Sequence, residues 1–105
     1  MAITEELKKV ADFYGYENQS NQLIEECAEL IQAVNKYRRA SGKGQKTSTE
    51  FKMAFMNIIE EVADVEVMLE QIKYLLNISE EQIEAIKHYK QIRTETRMSQ
   101  QMQGE

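Results

Sequence analysis

No proline interrupts this chain, and its apolar residues return every three or four positions rather than every second one. Proline is the strongest helix breaker, and a three-and-four repeat puts side chains on one face of an α-helix. The predicted fold class is therefore all-α, a four-helix bundle formed as a single domain over residues 1–105. Thr4, followed by Glu5 and Glu6, reads as a cap with an acidic first turn, and Leu7, Val10, Ala11 and Tyr14 carry a short first helix to about Gly15. A second helix is expected from about Ser20 through Leu23, Cys27, Leu30, Val34 and Tyr37, ending where Ser41, Gly42 and Gly44 break the pattern. After a polar, basic linker from Ala40 to Ser48, Ser48 or Thr49 can cap a third helix. Its seam runs through Phe51, Phe55, Ile58, Val62, Val65, Leu69, Ile72 and Leu76. Ser79 stands three residues before Gln82, the spacing of a capping box, and predicts a fourth helix past Ile83, Ile86, Tyr89 and Ile92, fraying after Met98.

Two of these helices carry acids where a core-facing seam runs. Glu25-Glu26-Cys27-Ala28-Glu29 lies on the second and Glu61-Val62-Ala63-Asp64 on the third. Residues three apart share a face about 4.5 Å apart along the axis, so Glu26 with Glu29, and Glu61 with Asp64, make two neighbouring carboxylate pairs. With 18 acids in the chain, a paired glutamate is ordinarily a solvated face. Here Leu23, Cys27 and Leu30 flank one pair, Ile58, Val62, Val65 and Met68 bracket the other, and the small Ala28 and Ala63 let two backbones approach. Like charges at such half-turned positions repel and lose hydration unless a cation lies between them.

The chemistry of the donors limits that cation. Oxygen-only sites suit Mg²⁺, with Mn²⁺ as the alternative, whereas zinc prefers His and Cys. This chain has one His, His88, far from both clusters and read as a surface residue, and one Cys. A di-iron carboxylate site is excluded because no Glu-x-x-His pair is present. Mg²⁺ keeps several waters and usually binds with phosphate oxygens, which points to a polyphosphate substrate.

A net charge of −5 argues against nucleic acid as a partner, since binding there requires cations to displace condensed counterions. No segment joins a basic stretch to an apolar run or approaches a membrane span, and the lone Cys27 forms no intramolecular disulfide, so a cytoplasmic location away from membranes is expected. A chain of 105 residues buries a modest share of its surface, and association with copies of itself would add to it.

The order Glu25-Glu26-x-x-Glu29 followed by Glu61-x-x-Asp64 on consecutive helices resembles the all-α nucleoside triphosphate pyrophosphohydrolase superfamily, in its MazG-like branch. The likeness extends over about the whole chain and includes the flanking Leu-Ile-Glu-Glu-Cys-Ala-Glu-Leu-Ile-Gln-Ala and Ile-Ile-Glu-Glu-Val-Ala-Asp-Val strings. The stretch between Glu29 and Glu61 is longer than the family usually shows. The resemblance implies that Glu26, Glu29, Glu61 and Asp64 bind Mg²⁺, and that Glu25 holds a further metal or orients the attacking water. It also implies a homodimer or homotetramer, and a reaction that cuts a nucleoside triphosphate between its α and β phosphates.

Outer phosphates need positive partners, and Lys90, Arg93 and Arg97 share a face of the last helix, equally suited to surface acids such as Glu84 or Glu95. Lys36, Arg38, Arg39, Lys43 and Lys46 form a second basic patch. Gln22 and Asn57, each about one turn before an acidic pair, have amides able to read a base edge. The nearest competing function is a phosphoribosyl-ATP pyrophosphohydrolase. From another class comes a non-catalytic helical interaction protein with surface acids.

Overall fold

The computed structural model describes residues 3–42 and 49–104, and every regular element among them is a helix. Helix α1 spans Glu5–Gly42, α2 spans Thr49–Leu75 and α3 spans Glu80–Gln103. The described chain, read from sequence as one domain, divides into two compact units, one ending at Leu76 and the other beginning at Asn77. The linker residues Lys43, Gly44 and Lys46 and the alternative cap Ser48 lie outside the described residues. None of the described helices is long and apolar enough to cross a membrane.

The first two helices expected from the sequence run together as α1, with a joint at Gly15. Thr4 caps the start as expected: its Oγ1 accepts the Leu7 N–H at 3.2 Å and its carbonyl the Lys8 N–H at 3.0 Å. At Gly15 the backbone turns to φ 81° and ψ 169°, a region open essentially to glycine alone. The predicted stop is therefore real, but the helix resumes at once rather than at Ser20. Asn18 explains how the joint is tolerated, because its side-chain Nδ2 donates to the Tyr14 carbonyl at 2.9 Å and partners an acceptor next to the break.

Helices α1 and α2 pack as an antiparallel hairpin. Tyr37, late in α1, packs its ring in tilted contact with Phe51 and Phe55, early in α2, with ring centroids 5.1 and 6.3 Å apart. Asp12, early in α1, accepts a 2.9 Å hydrogen bond from the Tyr74 hydroxyl, late in α2. Between these ends Gln19 Nε2 donates to Gln71 Oε1 at 2.7 Å, both residues being buried. Gln71 Nε2 also reaches the Val67 carbonyl at 3.3 Å and Met68 Sδ at 3.5 Å. The apolar core is thin: among the described residues Ala11, Ala33, Ala40 and Met68 are its buried members. Alanines bring the two backbones close, and Ile24, Ile31, Met53 and Ile59 stay exposed.

The second unit begins with Asn77 in the left-handed region, φ 62°, just beyond the end of α2. The capping box expected at Ser79 is present, with Gln82 N–H donating to Ser79 Oγ at 3.1 Å and Ser79 N–H to Gln82 Oε1 at 2.8 Å. The helix it starts continues through Gln103, beyond the fraying point predicted at Met98, and the Gly104 N–H closes it on the Gln100 carbonyl at 3.0 Å. No residue of α3 is buried, and Ile86, Tyr89 and Ile92 are exposed along it.

Candidate metal centre

The antiparallel register that joins Gln19 to Gln71 at one level and Tyr37 to Phe55 at another sets the acidic segment of α1 beside that of α2. Glu26 and Glu29 come from α1 and Glu61 from α2, and one carboxylate oxygen of each lies within 4.8 Å of the others. Asp64 is exposed and outside this tight group, yet its charge acts on both Glu26 and Glu61. The carboxylate pairs inferred from helical spacing are thus brought to one place, three tightly and the fourth electrostatically.

The environment of the group is unfavourable for so much negative charge. Glu26 and Glu61 are half-buried, and Oε2 of each is shielded from solvent with no hydrogen-bond partner. Gln22 opposes the consequence at Glu26: its Nε2 donates to Oε1 at 2.8 Å and favours the ionised form. Burial and the charges of Glu29 and Asp64 outweigh that bond, so the Glu26 pKa stands above its ordinary 4.5. At Glu61 desolvation leads, joined by the charge and proximity of Glu29 and by Asp64 and Glu26, and the pKa is again raised.

Orphaned, desolvated carboxylate oxygens are what a hard divalent cation satisfies, and the donors are all oxygen, so the residues fit Mg²⁺. Glu26, Glu29 and Glu61 would supply direct ligands, with Asp64 adjacent. Three protein carboxylates would leave such an ion free to take waters or phosphate oxygens as further ligands.

The other expected site residues are distributed differently. Glu25 is exposed on α1 and does not join the tight group. Gln22, read as a contact to a base, has its amide on Glu26 instead, as the i,i+4 spacing allows. Asn57 is half-buried and lines a groove between α1 and α2. Lys90, Arg93 and Arg97 are exposed on α3, as is His88. Sequence reasoning passed over Lys52, which lines the same groove as Lys36 and Arg39. No local pattern marks it, because Lys52 is a single charge between Phe51 and Met53.

No family model, curated protein or solved structure matches this chain.

Proposed function

We propose that the chain is a Mg²⁺-dependent nucleoside triphosphate pyrophosphohydrolase of the MazG-like kind, releasing a nucleoside monophosphate and pyrophosphate. The observation that carries the reading is the convergence of Glu26, Glu29 and Glu61 from two helices within 4.8 Å, with two of their oxygens buried and unpartnered. A cluster serving only as a solvated face would turn those oxygens to water.

When bound, Mg²⁺ neutralises phosphate charge and lowers the pKa of a coordinated water. The chain's own part is to hold that arrangement. Glu26, Glu29 and Glu61 would hold the ion beside the α–β anhydride, and Gln22 orients the Glu26 carboxylate for that role. Water adds to a phosphorus of the anhydride as the bridging oxygen departs, and one proton must leave. Glu25, one turn before Glu29 on the same face and outside the tight group, is assigned to orient that water and accept its proton.

The protein works as a homo-oligomer, a dimer or tetramer, in this reading. Support comes from the hairpin's thin core and exposed Ile24, Ile31 and Met53, and from an α3 that buries nothing.

Pyrophosphate release from a panel of ribo- and deoxyribonucleoside triphosphates and phosphoribosyl-ATP, with Mg²⁺, tests the proposal against Glu61→Gln. Activity that disappears in the variant supports it and identifies the substrate. Turnover of phosphoribosyl-ATP alone would replace the substrate while keeping the site, and absence of turnover with every compound would overturn the enzyme reading.

A further inference from the structure

Helices α1 and α2 also enclose a groove of about 970 Å³ at the end of the hairpin where α1 finishes and α2 starts. Lys36 and Arg39 line it from α1, and Lys52, Met53, Met56 and Asn57 from α2. Among the described residues, none of the three cations has a carboxylate within ion-pair distance, although Glu50 and Glu60 share the lining. Three cations facing one groove add their fields toward an anion, and Met53 and Met56 beside them bring no competing charge.

The groove adjoins the carboxylate cluster. Asn57 stands one turn before Glu61, and Lys36 lies two turns after Glu29, about 10 Å along the axis at 1.5 Å per residue. Side chains on a helix lean toward its N-terminus, so Lys36 and Arg39 on α1 lean toward Glu29, shortening that gap. A ligand held by its inner phosphates through an ion at Glu26, Glu29 and Glu61 would therefore extend its outer phosphates toward them.

We propose that this groove is the seat of the outer phosphates of a polyphosphate ligand, with Lys36, Arg39 and Lys52 as its cationic contacts. The proposal rests on the pyrophosphohydrolase reading for the identity of the inner phosphates. It assigns the leaving pyrophosphate to α1 and α2 themselves and dispenses with Lys90, Arg93 and Arg97 of α3 for that role. Arg39 can fork onto two phosphate oxygens, whereas the two lysines act as point charges.

The test uses the full chain and inorganic tripolyphosphate, with binding measured by calorimetry at two salt concentrations, with and without Mg²⁺. The triple variant Lys36→Gln, Arg39→Gln, Lys52→Gln removes only charges on exposed side chains, and unchanged helicity by circular dichroism verifies its fold. The expected result is at least a tenfold loss of affinity and a flatter salt dependence. Equal binding by parent and triple variant, with loss in Glu61→Gln, would overturn the groove and leave the hydrolase reading in place. Loss in the triple variant with no effect of Mg²⁺ or of Glu61→Gln would keep the groove as a polyphosphate site and remove the hydrolase reading. Failure of the parent to bind tripolyphosphate or an α,β-methylene nucleoside triphosphate under any condition would overturn both.

Discussion

The side-chain amide of Gln22 donates a 2.8 Å hydrogen bond to Oε1 of Glu26, while Oε2 of the same carboxylate is buried without a partner. One oxygen is thereby oriented by the protein and the other is left for something else. Gln22 also favours the charged form of a group whose surroundings favour the neutral one. Replacing Gln22 with Ala is expected to weaken Mg²⁺ binding by about 10- to 100-fold, the usual effect of losing a residue that orients a ligand. Calorimetric titration of the ion into parent and variant measures it, and equal affinities would show that Glu26 needs no such support.

Glu61→Gln should act with opposite signs in the two states of the site. Glu61 has its pKa raised, chiefly by desolvation and then by Glu29, so its charge is a burden when no ion is present. Removing it should raise the melting temperature of chelator-treated protein, and the stabilisation expected of Mg²⁺ in the parent should be absent from the variant. Thermal melts with chelator and with Mg²⁺ give both numbers, and a variant that melts lower in chelator would contradict the account of charge repulsion.

The same shifts set a direction with pH. Folded-state pKa values raised above the ordinary 4.5 mean that, for Glu26 and Glu61, the folded state binds protons more tightly than the unfolded state. Their contribution to stability is fully present below 4.5 and is lost as pH rises through the raised folded values. Metal-free parent should therefore lose more stability than metal-free Glu61→Gln as pH rises from 4.5 toward neutrality, and saturating Mg²⁺ should shrink the difference. Urea titrations across that window, compared between the two proteins, check the sign.

Gly15→Ala is expected to cost about 1–3 kcal/mol through the backbone alone. The added Cβ would meet nothing within 4 Å, yet φ 81° and ψ 169° are strained for an L side chain. Chemical denaturation of the variant measures the cost, and an unchanged midpoint would mean that the joint can straighten into regular helix.

The buried Gln19–Gln71 pair predicts a non-additive cycle. Either Gln19→Leu or Gln71→Leu alone leaves a buried amide unsatisfied, at about 1–3 kcal/mol, whereas changing both together should be close to neutral. Denaturation of the two single variants and the double variant measures the coupling, and simple additivity would remove the pair as an interacting unit.

Local signals in this chain were legible and relative placements were not. The Ser79–Gln82 capping box and the Thr4 cap follow from spacing within one turn, and so does the presentation of Glu26 with Glu29 as a pair. The joint at Gly15 was legible as a stop but not as a one-residue break, because the compensating bond from Asn18 to Tyr14 is a matter of rotamer rather than of pattern. Gln22 could equally face a ligand or Glu26, since an amide one turn away can do either. Lys52 acquires meaning only beside Lys36 and Arg39, across a pairing of α1 with α2 that periodicity cannot specify. The helical run past Met98 shows that a polar composition with few apolar anchors does not end a helix when no glycine or proline intervenes.

The buried amide pair between α1 and α2 has a bearing on the accuracy of the carboxylate group. An apolar seam tolerates sliding, because one leucine fills a gap about as well as its neighbour, but a 2.7 Å hydrogen bond between two enclosed amides admits one alignment. Gln19 lies two turns before Glu26, and Gln71 two turns after Asp64, so the bond acts as a locating pin for helices whose acids must meet within 4.8 Å. A slip of one residue would carry α1 about 1.5 Å along α2 and rotate its acids away from Glu61. The tolerance of the carboxylate group is thus set outside it, by two uncharged side chains two turns away.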